Sequence, residues 1–199
     1  MPTDDSGRWE QLLSWLSPFH EAAARTARRL CRSVDDGDDL LSETILRAFD
    51  RLPTLREPAR FRSWFFAILI SVHRNRSRRH FWKRFLSLEA KQEGGFDPAG
   101  ADGVRDAELT RRSERAARAL ATLSPEQREA IVLFELEGFS IEEIAAITGS
   151  GISAVKSRLA RGRTRLARCY ERWEPHVAPT RSEHDVPKPA IPRSRFVVD

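Results

Sequence analysis

Apolar residues return every three or four positions along this chain, and no stretch alternates apolar with polar side chains. A 3.6-residue period lines such residues along one stripe of a helix, whereas a strand needs a period of two, so the pattern predicts an all-α fold. A first helix is expected from about Arg8 to Cys31, carrying Trp9, Leu12, Leu13, Leu16, Phe19, Ala23, Ala27 and Leu30, with Pro18 placed to kink or split it. A second is expected from about Asp38 to Leu52, stopping ahead of Pro53. The third begins after Pro58, carries Phe61, Trp64, Phe65, Ile68 and Val72, and continues to about Phe85.

Residues 86–104 interrupt the pattern with Gly94, Gly95, Asp97-Pro98, Gly100 and Gly103, the composition of a flexible linker. Helix is expected again from about Arg105 to Ala121. Ser124-Pro125-Glu126-Gln127 then supplies an N-cap, a first-turn proline and a capping-box partner for a helix that ends at Gly138. Ser140-Ile141-Glu142-Glu143 repeats the box for a short helix to Thr148, Gly149-Ser150-Gly151 makes a turn, and a last helix runs from Ile152 to about Trp173. The expected organisation is two small helical domains, 19–85 and 105–173, on a tether that keeps them apart. An extension over 1–18 precedes them, and a Pro-rich tail over 174–199 is expected to be disordered.

Charge is segregated along this framework. The 199 residues carry 34 Lys and Arg against 29 Asp and Glu, a net charge of only +5. Yet eight cations and no acid fall between Arg60 and Phe85, and six cations and no acid between Ile144 and Tyr170. Two acid-free basic helices are suited to a polyanion, and nucleic acid is the expected ligand. From Asp35 to Asp50 the balance reverses, with six acids against Arg47 alone, so that helix should avoid DNA and meet a protein instead. Laid out at 100° per residue it turns Leu41, Thr44, Ile45, Ala48, Phe49 and Leu52 inward and leaves Leu46 outward among Asp39, Glu43 and Asp50.

Other classes are excluded on composition and spacing. The longest apolar run, Trp64 to Ile70, is far short of the ~20 residues that span a bilayer, and the start Met-Pro-Thr-Asp-Asp lacks a basic-then-apolar leader. A soluble, cytoplasmic protein without membrane insertion is expected. Cys31 and Cys169 stand far apart without a Cys/His cluster, so neither a disulfide framework nor a metal site is implied, and both are expected as packed thiols. The five histidines are scattered and accompany no nucleophile–base pair or phosphate loop, which argues against an enzyme, and no cofactor is implied.

Residues 141–160 have the layout of a helix-turn-helix, with Ala145 at the helix crossing, Gly149 at the turn and Val155 plugging the second helix onto the first. On the last helix Ile152, Val155, Leu159 and Leu166 form an inward stripe beside Gly162. Ser153, Ser157, Ala160, Arg161, Thr164 and Arg168 face outward, flanked by Lys156, Arg158 and Arg165. Short hydroxyls permit close approach to a major groove, and arginines reach guanine edges or phosphates.

The stretch Leu123-Ser-Pro-Glu-Gln-Arg-Glu-Ala-Ile-Val-Leu-Phe-Glu-Leu-Glu-Gly-Phe-Ser-Ile-Glu-Glu-Ile-Ala, with Ala154-Val-Lys-Ser-Arg-Leu-Ala-Arg-Gly-Arg, resembles region 4 of bacterial sigma-70 family factors. LuxR-type regulators share part of this pattern. Asp38-Asp-Leu-Leu-Ser-Glu-Thr-Ile-Leu-Arg-Ala-Phe and Phe61-Arg-Ser-Trp-Phe-Phe-Ala-Ile, however, resemble sigma region 2 and precede it at the right distance. The pair resembles the extracytoplasmic-function (ECF) group and covers roughly residues 19–170. The chain departs from the common pattern at Ser42, Ser71 and Asn75.

The resemblance implies a sigma factor that brings core RNA polymerase to promoters and helps melt DNA. Region 4 would read the upstream minus-thirty-five element through Ser153, Lys156, Ser157, Arg158, Arg161 and Arg165 and would meet the β flap. Region 2 would engage the minus-ten region through Phe61, Arg62, Arg74, Asn75, Arg76, Arg78 and Arg79. In this reading Phe61 and the loop from Pro53 to Arg60 are the melting candidates, and Trp64 falls to the core. Asp39, Leu40, Glu43, Leu46 and Arg47 would form the core-polymerase interface on the β′ clamp helices, and an anti-sigma factor is the implied regulator. The competing reading is a helix-turn-helix repressor or activator that replaces no polymerase subunit, recognisable by dimeric binding to palindromic duplex DNA.

Overall fold

The computed structural model describes residues 5–31, 33–86 and 107–173, and every regular element among them is helical. The tail expected over 174–199, and the linker expected over 86–104 apart from Leu86, lie outside the described residues. Helix α1 (Asp5–Leu16) ends in a 3-10 turn, Ser17–Phe19, and α2 (His20–Leu30) restarts beyond it. Pro18 in that turn therefore splits the first expected helix. Helix α3 (Val34–Arg51) begins ahead of the position suggested by periodicity, because the Ser33 hydroxyl accepts the Asp36 amide at 3.1 Å and caps the first turn. Two 3-10 turns, Leu52–Thr54 and Pro58–Arg60, lead into the long helix α4 (Phe61–Leu86).

Trp9 stacks on Phe49 of α3 with ring centroids 4.1 Å apart, while Leu12 and Leu16 are fully buried. From Asp5 onward the segment expected to be an extension is thus part of the first bundle's core. Burying the two leucines contributes roughly 1.5–3 kcal/mol each to holding this helix on the bundle. Gly37 marks the closest approach in this bundle: a Cβ there would lie 2.5 Å from the Arg28 Cα of α2.

After α5 (Ala107–Ala121), α6 (Pro125–Ile131) opens on the expected capping box, with both reciprocal Ser124–Gln127 hydrogen bonds present. A π turn, Val132–Leu136, follows, and Gly138 takes a φ of 69°. Helix α7 (Ile141–Thr148) carries the second expected box between Ser140 and Glu143 and ends at Gly149, whose φ of 61° is the left-handed C-cap that favours glycine. Helix α8 (Ile152–Trp173) completes the second bundle. Gly162 lets it pass α6, since a Cβ there would meet Ile131 Cγ1 at 2.8 Å.

The two bundles pack together, α4 against α7 and α2 against α6. Phe66 meets Phe139 edge-on at 5.1 Å, within a hydrophobic cluster that includes residues of both bundles. This corrects the expectation of two domains kept apart. Each bundle alone would leave an apolar surface next to charges that the other complements, and docking satisfies both.

Candidate nucleic-acid interface

The first candidate surface is the outer face of α8. Val155, Leu159 and Gly162 are buried, which turns Ser153, Lys156, Ser157, Ala160, Arg161, Thr164, Arg165 and Arg168 to solvent as the helical period requires. Arg161 donates to the Ser157 hydroxyl at 3.3 Å, a weak bond that leaves its guanidinium at the surface. Two expectations change. Ile152 is exposed, because at the first helical position no turn precedes it to cover the side chain. Arg158 is half-buried and donates to the Ser150 hydroxyl at 2.6 Å, pinning the turn between the two helices. Further along, Arg161, Arg165, Arg168 and Arg172 line a groove closed on its other side by Thr122 and Gln127, with Cys169 at its wall. Both cysteines are free and half-buried.

The second surface is α4 with the turns before it. Phe61, expected at the melting surface, is 4% exposed. Trp15 and Phe19, from α1 and the turn after it, enclose it at 5.3 and 5.9 Å, and Trp64 lies at 5.7 Å. A residue so enclosed packs the core and does not present a ring to DNA. Trp64, expected in the core, is instead half-buried and lines an open groove with Thr54, Leu55, Arg56 and Arg60 on one side and Ala146 and Ile147 on the other. Arg78 and Arg79 are exposed, and Arg78 donates to the Asn75 side-chain oxygen at 2.7 Å. Arg76 turns toward α3, where it approaches Asp39 at 3.5 Å and Glu43 at 3.7 Å.

Arg62 and Arg74, the remaining two of the expected DNA contacts on α4, reach across to the second bundle. Arg62 donates to the Glu137 carbonyl at 2.7 Å and approaches its carboxylate at 3.2 Å, with the guanidinium 4.1 Å from the centre of the Phe139 ring. The Thr26 hydroxyl donates to the same carboxylate at 2.6 Å. Arg74 forks onto Glu129 with contacts of 2.6 and 3.1 Å and donates to the Thr148 carbonyl at 2.7 Å. His73 Nδ1 lies 3.4 Å from the same carboxylate, and Arg128 donates to the Leu30 carbonyl at 3.1 Å. Glu129 is 1% exposed, and burial alone would raise its pKa. Hydrogen bonds from His73 and Arg74, together with the Arg74 charge, outweigh burial and hold the carboxyl below its ordinary 4.5.

Sequence reasoning missed these carboxylates, although one signal was available. Glu129 shares a helix face with Val132 and Leu133, both buried, and a carboxylate on an inward stripe requires a partner.

The third surface is the acidic helix. Leu46 is 58% exposed, as its position on the helical wheel predicts, with Glu43 and Arg47 paired beside it at 2.8 Å. Leu40, expected at this interface, is fully buried. Helix α3 packs against α2 on one flank and α4 on the other, so its apolar stripe is wider than a single-sided helix would need.

Comparison with known proteins assigns both bundles. Residues 16–83 match the family described as Sigma-70 region 2, and residues 113–166 match Sigma-70, region 4. The chain is 33% identical over 138 residues to the ECF RNA polymerase sigma factor EcfG of Rhodopseudomonas palustris, which covers 69% of this chain and 73% of that protein. It is 34% identical over 152 residues to the ECF RNA polymerase sigma factor SigM of Mycobacterium tuberculosis, covering 75% of this chain and 71% of that one. Among solved structures, the sigma factor RpoE of Bartonella quintana, crystallised with the anti-sigma factor NepR, superposes with a TM-score of 0.66 at 29% identity. That match covers 81% of this chain and 95% of RpoE. Among the described residues no helix is long and apolar enough to cross a membrane, and no group of side chains could hold a metal ion.

Proposed function

This chain belongs to the sigma-70 family of RNA polymerase sigma factors, in the ECF group, and on that premise we propose how its surfaces divide the work of initiation. As a sigma factor it binds core polymerase and directs it to promoter DNA. The α8 face of Ser153, Lys156, Ser157, Arg161 and Arg165 enters the major groove of the upstream element, with Arg158 holding the turn behind it. Arg62, Arg74, Asn75, Arg78 and Arg79 track the minus-ten strand. The half-exposed Trp64 and the loop from Pro53 to Arg60 provide the ring and polar edge that an extruded base needs. Leu46, ringed by Asp39, Glu43 and Arg47, docks on the β′ clamp helices, and the second bundle meets the β flap.

The observation that carries this reading is the coexistence in one chain of an exposed basic helix-turn-helix face and an acidic helix bearing an exposed leucine. A repressor needs the first of these and has no use for the second. The chain acts in the cytoplasm, beside the polymerase. The pairing of RpoE with NepR supports an anti-sigma factor as its regulator. Retardation of a promoter fragment by core polymerase plus this chain, where neither alone retards it specifically, tests the division of labour. Specific binding to palindromic DNA by the chain alone, as a dimer, would overturn it.

A further inference from the structure

Helix α8 opens on an apolar side chain that the fold leaves nearly half in solvent. Ile152 occupies the first helical position and is 44% exposed, whereas Val155 and Leu159, the next members of the same stripe, are buried. Among the described residues, Tyr170 is the other large apolar side chain exposed on this helix, but it lies eighteen positions further on, ~27 Å along the axis at 1.5 Å per residue. A major groove about 12 Å wide admits the first turns of α8 and not that far end. Ile152 is thus the large apolar group that the upstream-reading face can bring to a base edge.

The backbone ahead of it is bare. The Gly151 carbonyl accepts the Val155 amide at 3.1 Å, which makes Gly151 the residue that caps α8. Neither conformation nor packing calls for glycine there. The positive φ values among the described glycines belong to Gly138 and Gly149, and a Cβ on Gly151 would meet no protein atom within 4 Å. Serine, asparagine and aspartate cap a helix at least as well. The space beside Ile152 is therefore clear on the outer side, where a duplex would approach.

The neighbouring side chains define the chemistry. Lys156 stands one turn further along and about 40° round the helix from Ile152, Ser153 stands about 100° round, and both are exposed. With Ser157, Arg161 and Arg165 they offer a base edge donors for its N7, O6 and O4 acceptors. None of them addresses a methyl group. Thymine is distinguished in the major groove by a C5-methyl beside its O4, and an apolar side chain next to a donor is the complement of that pair.

We propose that Ile152 is a specificity-determining residue of the upstream face: it packs on the C5-methyl of a thymine whose O4 accepts from Lys156. The inference rests on the assignment of α8 as the reader of the upstream element and adds a base identity to it.

The test uses holoenzyme reconstituted from core polymerase and the full chain, and its probe is a duplex that the wild-type holoenzyme selects from a random pool. Each thymine of the selected upstream element is replaced in turn by deoxyuridine, which removes the methyl and leaves every hydrogen-bonding group in place. Wild type should lose about fourfold in affinity at one of these thymines, the effect of one buried methyl group. Ile152→Ala should bind the thymine and deoxyuridine duplexes equally at that position, and Ile152→Val, which keeps a branched apolar surface, should preserve most of the preference. Lys156→Ala should weaken both duplexes alike, because O4 is present in each. Melting temperatures of the three variants should stay within a few degrees of wild type, since both positions face solvent.

Wild-type indifference to deoxyuridine at every position, an undiminished preference in Ile152→Ala, or a selected element without an A·T pair would overturn the proposal. The deoxyuridine series on wild type needs no variant to fold. Arg161→Ala on selected and scrambled duplexes separates this outcome from failure of the reading beneath it. A loss confined to the selected duplex, with no methyl effect, removes this inference alone; an equal loss on both removes the assignment of α8 with it.

Discussion

Leu46 offers the sharpest separation of folding from function. With 58% of the residue in solvent, replacing it removes little core packing. An arginine there would sit three residues after Glu43 and four before Asp50, positions where opposite charges on a helix add a few tenths of a kcal/mol. Leu46→Arg should therefore leave the melting temperature within a few degrees of wild type. Binding is another matter. Burial of a whole leucine side chain is worth about 1.5–3 kcal/mol, and the exposed 58% leaves about 1–2 kcal/mol to be gained at an interface. Leu46→Ala should thus weaken core polymerase binding roughly 5- to 30-fold at 1.4 kcal/mol per factor of ten. Leu46→Arg should weaken it further, because a charge would be pressed into the apolar pocket meant for leucine. The assay is competition of each variant against labelled wild type for core polymerase, with circular dichroism melts in parallel. Wild-type affinity in both variants would show that the acidic helix is not the docking surface.

Three further outcomes follow from the geometry. Arg161→Ala should cost ~1–3 kcal/mol at promoters with an intact upstream element, through loss of a base contact, and nothing where that element is scrambled; equal losses on both would refute base reading. Because the folded-state pKa of Glu129 lies below its ordinary 4.5, its contribution to docking is complete above that value and fades as pH falls through the depressed one. Scattering from the wild-type chain should accordingly report a constant radius at neutral pH and expansion only below about pH 4.5, while Glu129→Gln should show a smaller change in that window. Gly37→Ala would drive a Cβ to 2.5 Å from the Arg28 backbone, which cannot rotate away, and should destabilise the first bundle by at least the ~1–3 kcal/mol typical of overpacking. A denaturant melt with an unshifted midpoint would contradict the close approach.

What could be read from the sequence was local. The two Ser-x-x-Gln/Glu boxes, Gly149 and the stripe of Val155 and Leu159 are determined within a turn or two of helix, and the structure places each where its spacing implies. The errors on the candidate surfaces of α3 and α4 arise from tertiary neighbours. Phe61 has the pattern of an exposed aromatic at a helix start until Trp15 and Phe19 close over it, and Trp15 comes from a segment assigned outside the domain. Leu40 stood in the interface that the family resemblance implied, whereas α3 is covered on two flanks and buries it. The ion pairs of Arg62 and Arg74 join residues 75 and 55 positions apart, a separation that no helical wheel can register. The candidate site was therefore legible on α8, where one helix carries the whole face, and on α3 apart from Leu40. It was least legible on α4, whose surroundings are set by a second bundle.

Run-off transcription tests the central claim most directly. Core polymerase should yield no specific transcript from a candidate promoter alone, and adding this chain should produce a discrete run-off product that disappears with Leu46→Arg. A product of equal intensity with and without the chain, or repression of a product that core polymerase with another sigma factor already makes, would contradict the assignment.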